Sequence, residues 1–366
     1  MADSWSSGAV LLPAAPDSNW WDRKAFSGAV VAKCEKNSCY RMYYYGRARD
    51  EWNFGVKPFN VFLPTGRIGM ATSEDGYRFE RAKGPLYEGA VMDPSDDPSA
   101  FDAVHIGVGD VIRHNDRWWM FYFGAGMEEV ALFGSVRRGV KLQSGVATSE
   151  DGLNFERIEK PVLCVGKEGE WDQNGASWPR VLPPRTAGDK WLMSYHTREN
   201  GGHNNMGFFS AGVATSDDGL LWHKQGKVLE CGKPGSWDEG GVSVRHVLRI
   251  GDEFVMFYEG SNYQYEFAIG LATSEDGLVW RRDEQCGDEP GGPILRARRG
   301  EEVWDNWIVA TPYVVKMEDG SLRMYYLGVG KKEGEEQQQQ GIGLALSDGD
   351  FRTWKRYCVP FEKFGL

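Results

Sequence analysis

Apolar and polar positions alternate with a period of two in five aromatic-rich segments. These are Tyr40-Arg41-Met42-Tyr43-Tyr44-Tyr45, Trp118-Trp119-Met120-Phe121-Tyr122-Phe123, Trp191-Leu192-Met193-Ser194-Tyr195, Phe254-Val255-Met256-Phe257-Tyr258 and Leu322-Arg323-Met324-Tyr325-Tyr326. Such alternation predicts β-strands with one face buried more deeply than the other. A second pattern follows each segment. Ala71-Thr72-Ser73-Glu74-Asp75-Gly76 recurs at 147–152, 214–219 and 272–277, with a degenerate copy at 345–349. Each copy follows a glycine–hydrophobic alternation and precedes an aromatic, often with a basic residue, as in Phe79-Glu80-Arg81. That reads as strand, Asp-Gly turn, strand. Upstream of each aromatic segment stands Trp21-Asp22, Phe101-Asp102, Trp171-Asp172, Trp237-Asp238 or Trp304-Asp305, followed by a short apolar strand.

Each unit thus holds four strands, and the repeat copies lie 58 to 76 residues apart, a spacing that signals a propeller. The expectation is all-β: a five-bladed β-propeller with four antiparallel strands per blade. It forms a single domain over 1–366, with blades near 20–90, 100–165, 170–232, 236–296 and 303–358. Composition fits many short strands and tight turns, with 15 Trp, 15 Tyr, 18 Phe and 47 Gly. The segment Val10-Leu11-Leu12 resembles unit-ending strands and is placed at the seam between first and last blades. A net charge of −11 argues against a nucleic-acid or anionic-membrane partner, which needs a basic footprint. No apolar run reaches the roughly 18 residues of a membrane span. No signal peptide is visible, so a soluble protein is expected, cytoplasmic or organellar after removal of a targeting peptide. Six cysteines are thinly spread. Cys34 and Cys39 face each other across a hairpin and read as reduced thiols.

These three patterns resemble the five-bladed propeller superfamily of arabinanases, invertases, levansucrases and mannoside phosphorylases. In its hydrolases an Asp base and an Asp helper open the innermost strands of the first two blades, and a Glu acid opens that of the third. The chemistry needs paired carboxyls, one protonating the leaving oxygen and one activating water or attacking the sugar. Aligned on the recurring Asp, those positions hold Gly28, Val108 and Ser177, none of them a carboxylate.

An active site is not five-fold symmetric. The recurring Asp22, Asp102, Asp172, Asp238 and Asp305 are therefore read as structural, capping turn amides at strand entrances. The informative positions differ between units. Eight residues after the recurring Asp stand Val30, Asp110, Arg180, His246 and Tyr313; two residues earlier stand Gly28, Val108, Trp178, Val244 and Thr311. If that side of the strand faces the axis, its polar members converge in a channel, whose bland reading is a hydrogen-bonded, water-filled core. Strand direction puts the long, dissimilar loops at 47–65, 124–143, 197–208 and 328–340 on the working face with His105, His196 and His203. His196 and Glu259 stand at ends of aromatic strands on that face.

The sequence thus offers Asp110, His246 and Glu259 as acid–base groups. Arg180, His196, Trp178, Tyr313, His105 and Trp307 are the substrate-binding candidates. Core packing is the competing reading for Trp178 and Trp307. No local histidine spacing supports a metal, and no cofactor is implied. Two functions stand open. One is a carbohydrate-active enzyme acting on a small glycoside or anionic sugar. The other is a propeller without the hydrolytic triad, binding a small-molecule ligand, a second copy of itself or a protein partner through loop 52–62.

Overall fold

The computed structural model describes residues 8–34, 39–58, 63–132, 135–202, 207–287, 289–332 and 338–358. Apart from two 3-10 turns, its regular elements are strands. A short strand β1 (Ala9–Leu11) opens the chain. The first unit is β2 (Ala25–Cys34), β3 (Cys39–Arg47), β4 (Arg67–Ser73) and β5 (Glu80–Ala82), hydrogen-bonded in that order. The second is β6 (His105–His114), β7 (Arg117–Ala125), β10 (Leu142–Ser149) and β11 (Glu156–Arg157). A separate hairpin, β8 (Val130–Leu132) and β9 (Ser135–Arg137), interrupts it. Then come β12 (Ser177–Leu182), β13 (Trp191–Glu199), β14 (Phe208–Ser216) and β15 (His223–Leu229). The fourth unit is β16 (Gly241–Ile250), β17 (Glu253–Ser261), β18 (Phe267–Ser274) and β19 (Arg281–Arg282), with β20 (Leu295–Arg296) also on β18. The last is β21 (Ile308–Lys316), β22 (Leu322–Lys331), β23 (Gln338–Ser347) and β24 (Lys355–Arg356). One parallel bridge, Phe209 to Gly241, joins the third and fourth units into a nine-stranded sheet.

The first strands of the units pack on one another in sequence: β2 on β6, β6 on β12, β12 on β16, β16 on β21, and β21 back on β2. The core lies between neighbouring sheets, where the aromatic strands face each other. At the seam β1 pairs with β23, and the Phe79 amide donates to the Val10 carbonyl (3.0 Å), so the first strand joins the last unit to the first.

Two repeated devices explain the sequence repeat. In the Asp-Gly turns of the first four units the aspartate caps the following amides. Asp75 Oδ1 accepts from the Tyr77 and Arg78 amides, and Asp151, Asp218 and Asp276 do the same in their units. The turn then docks on the preceding unit. Tyr43 Oη donates to the Gly152 carbonyl and Tyr325 Oη to that of Gly76, each at 2.8 Å. The second device is the recurring aspartate. It is buried in every unit and ties two strands together. Asp22 accepts from Tyr44 and Arg81, Asp102 from Tyr122 and pairs with Arg157, and Asp172 accepts from Tyr195 and pairs with Lys224. Asp238 takes Tyr258 and Arg282; Asp305 takes Tyr326, Arg298 and Arg356. The structural role expected of these residues holds, but their side chains link tyrosine and base rather than turn amides. The glycine of the alternation makes room beside them: a Cβ on Gly69 would meet the Trp21 ring at 2.0 Å.

Cys34 and Cys39 are opposite in register and both are free thiols. Residue His203, Phe59, Phe62 and most of the glutamate–glutamine loop at 333–337 lie outside the described residues.

Candidate active site

Every first strand is irregular at one equivalent point. The register slips between Ser27 and Val30, Val108 and Asp110, Ser177 and Arg180, Val242 and Arg245, and Ala310 and Tyr313. A bulge re-aims the side chains beyond it. Gly28 (φ 70°), Trp178 (φ 50°) and Thr311 (φ 48°) occupy equivalent positions in the left-handed region. Glycine enters that region freely; tryptophan and threonine do so at a cost of about 1–3 kcal/mol.

Beyond the bulges the eighth-position side chains meet one another. Tyr313 Oη donates to Asp110 Oδ1 (3.1 Å), and the Val181 amide donates to Asp110 Oδ2 (2.8 Å). The Arg180 guanidinium lies over the Tyr313 ring (4.9 Å) and donates to the carbonyls of Gly109 and Arg245. His246 stacks on Tyr313 (4.0 Å) and accepts at Nδ1 from the Val314 amide (3.1 Å). All four are buried, so this layer is a mutually bonded plug across the inner strands. Burial raises the Asp110 carboxyl despite Arg180, Val181 and Tyr313, and burial, then the Arg180 charge, holds His246 well below the ordinary imidazole range.

One layer nearer the working face, a second group forms around Glu259 on β17. Ser243 Oγ donates to Glu259 Oε1 (2.5 Å) and the Thr311 amide to Oε2 (2.9 Å). Burial pushes this carboxyl above its usual range, against Ser243, Thr311 and the Arg245 charge. Arg245 is fully buried and donates to His196 Nδ1 (2.7 Å) and to the carbonyls of Ser243, Trp178 and Ser194. With Nδ1 accepting, the neutral His196 ring carries its proton on Nε2. Burial, then Arg245, keeps His196 neutral. Trp178 stacks on His196 (4.9 Å) and Phe123 (3.9 Å), and its Nε1 donates to Tyr45 Oη (3.0 Å). Burial pushes the Tyr45 phenol up to about 12.

The structure therefore gathers Asp110, Arg180, His246 and Tyr313 in one layer and Glu259, His196 and Trp178 in the next. His105 stands elsewhere. It is wholly buried under Trp52 (4.0 Å, stacked), with Nε2 on the Gly139 carbonyl (2.7 Å), and burial pushes it down to about 4. Trp52 is likewise interior, so this part of loop 52–62 is packed rather than presented. Trp307 is half-buried against the apolar cluster. Arg245 and Ser243 escaped sequence reasoning because strict alternation turns Arg245 away from the His246 side, and the bulge is invisible to a count of two. A signal existed: the other four units carry Ala29, Gly109, Pro179 and Pro312 at the position of Arg245.

No family model matches the chain. An uncharacterized protein of Mycobacterium tuberculosis is 27% identical over 248 residues, covering 67% of this chain and 72% of that one. The β-1,2-mannobiose phosphorylase of a Thermoanaerobacter species is 26% identical over 144 residues, 36% of this chain and 43% of that one. Among solved structures, a thermostable family-43 glycoside hydrolase superposes with a TM-score of 0.64 at 17% identity, over 93% of this chain and 97% of that one. The fold is that of the propeller glycoside hydrolases. Among the described residues, no helix is long and apolar enough to cross a membrane.

Proposed function

We propose that this chain is a single-domain, five-bladed propeller, four strands to a blade, that acts on a glycoside at its axial mouth. The ring of packed first strands supports the blade count. The observation that carries the function is Glu259: a buried carboxyl, held at both oxygens and raised by burial. A carboxyl raised by burial is the kind of group that donates a proton to a leaving glycosidic oxygen. His196, with Nε2–H set by Arg245, is the substrate hydrogen-bond donor beside it. Asp110 and His246, the other acid–base candidates, lie in the layer farther from the working face, bonded to Tyr313, Val181 and Val314. We assign them, with Arg180, to holding the floor of the mouth rigid.

No carboxylate occupies the Gly28, Val108 and Ser177 positions. The acceptor for the glycosyl group must then supply its own nucleophile. The partial likeness to a mannobiose phosphorylase makes phosphate the first acceptor to test. Glycosides, mannobiose among them, incubated with and without phosphate decide whether turnover occurs and with which acceptor. Glu259→Gln keeps the Thr311 contact at its remaining oxygen while the Ser243 hydroxyl turns to accept from the new amide, and is expected to lower turnover about 100-fold or more with little change in KM. Wild-type activity should fall as pH rises through the raised Glu259 pKa. Full activity in Glu259→Gln would overturn the assignment. The same missing carboxylates favour a second reading, a propeller that binds sugar without turning it over; wild-type affinity with no turnover under any acceptor would establish it.

A further inference from the structure

A bulge leaves backbone groups of its extra residue out of the strand ladder. In the fifth and third units those freed groups serve the Glu259–Arg245 layer. The Thr311 amide donates to Glu259 Oε2 (2.9 Å), and the Trp178 carbonyl accepts from Arg245 Nη2 (2.6 Å). Each of the two residues precedes a proline, Pro312 or Pro179. Proline has no N–H, so of the two residues in the slip between Ala310 and Tyr313 only Thr311 can donate to the carboxyl.

That amide is presented under strain. A residue before proline is driven toward extended backbone, and a β-branched residue at positive φ is a conformational outlier. Thr311 stands at φ 48° before Pro312. The first unit meets the same backbone need without strain, through Gly28 (φ 70°). The threonine side chain gives no hydrogen bond in return: it is buried, and its Oγ1 has no partner among the described residues. Strain of this kind collects at functional sites.

The bond also decides where a proton sits on Glu259. An amide N–H needs a lone pair, so a proton on Oε2 would set two donors against each other. On Oε1 the proton meets the Ser243 hydroxyl (2.5 Å), which accepts it once its own hydrogen turns to the Glu259 main-chain carbonyl (3.4 Å). We infer that Thr311 is a positioning residue for Glu259: its strained amide holds Oε2 as an acceptor and so confines the acid's proton to Oε1, beside Ser243. The inference deepens the reading of Glu259 as a proton donor and rests on that reading only for its effect on turnover.

Glutamate labelled with carbon-13 at the carboxyl, in the full chain, gives the titration midpoint of Glu259, whose resonance is the one lost in Glu259→Gln. A neutron structure below that midpoint should show the deuteron on Oε1; a deuteron on Oε2 overturns the inference. Replacing the Thr311 amide by an ester, through incorporation of the α-hydroxy acid, deletes the donor and keeps the side chain. The midpoint should then move to higher pH, because the lost bond favoured the ionised carboxylate. In the same variant kcat should fall about tenfold with KM little changed, the scale of one hydrogen bond to a charged group. An unmoved midpoint also sinks the proposal. Thr311→Gly keeps the amide but frees it from strain, so the melting temperature should hold or rise while kcat falls. Wild-type kcat and midpoint in Thr311→Gly would mean that the strain does not position the acid. The two claims fail separately. No turnover with the deuteron on Oε1 removes the enzyme reading alone, and full turnover with the deuteron on Oε2 removes the positioning alone.

Discussion

At the scale of single residues, polar groups inside this protein are assigned by their partners. The recurring aspartates recur because each holds a tyrosine and a base, whereas the site residues differ from unit to unit. Asp172 accepts from Tyr195 Oη (3.0 Å) and pairs with Lys224 (2.6 Å). Replacing it with alanine strands both partners. Lys224 is part-exposed and can turn to water. Asp172→Ala is therefore expected to cost about 3 kcal/mol in denaturant unfolding, at the lower end for a broken buried pair, with sugar affinity unchanged. A loss below about 0.5 kcal/mol would contradict this assignment, since that is the scale of an uninvolved surface site. The histidines carry a pH signature. His105, His196 and His246 are all depressed by burial, His105 to about 4. The unfolded chain takes up protons near pH 6.5, and the folded chain does not. Their stabilisation is thus intact above about pH 6.5 and declines as pH falls toward 4 for His105, at up to about 1.4 kcal/mol per pH unit for each histidine. His105→Phe keeps a ring under Trp52 and should flatten the dependence measured between pH 6.5 and 5. An unchanged slope would mean His105 is not held neutral.

At the scale of elements, the strands were legible because period-two alternation, Asp-Gly turns and Trp-Asp pairs are written locally. The aromatic strands expected near 40, 118, 191, 254 and 322 are β3, β7, β13, β17 and β22. The convergence of Asp110, Arg180, His246 and Tyr313 was legible too, as asymmetry at one position. What alternation does not carry is the bulge in each first strand, and with it the approach of Arg245 to His196. Nor does it carry the packing of loops over the working face, which turned His105 and Trp52 inward. The Asp-Gly turns are clasps as well as reversals. Gly152 (φ 74°) has a carbonyl that accepts from Tyr43, and a Cβ there would stand 2.3 Å from Arg41 Nη1 and 2.7 Å from Tyr43 Oη. Gly152→Ala should lose about 2 kcal/mol or more, combining left-handed strain with displacement of both partners. In contrast, Gly226→Ala meets nothing within 4 Å (φ 101°) and should show the conformational cost alone. Equal losses at the two sites would mean the turn does not grip its neighbour.

At the scale of the molecule, a ring of sheets must close, and its weakest joint is the one between the ends of the chain. Here closure is shared. β1 pairs with β23 of the last unit, Val10 accepts from Phe79 of the first, and Arg323 and Tyr325 donate to the turn at Asp75 and Gly76. Arg81, which holds Asp22, also donates to the Leu12 carbonyl. Val10 and Leu11 are buried at 3% and 4% exposure. Truncating both to alanine removes two packed side chains, one Val→Ala and one Leu→Ala, worth together about 4 kcal/mol from core-truncation series. The consequence tests the architecture as well as the energy. If the ring is closed through this joint, Val10→Ala/Leu11→Ala should lower the melting temperature while the calorimetric transition stays single. The axial plug couples four of the five units: Asp110, Arg180, His246 and Tyr313 come from four different first strands. Two separated transitions would mean that the seam unit folds apart from the rest and that the plug does not bind the ring together. An unchanged melting temperature would mean that β1 is an appendage rather than the latch.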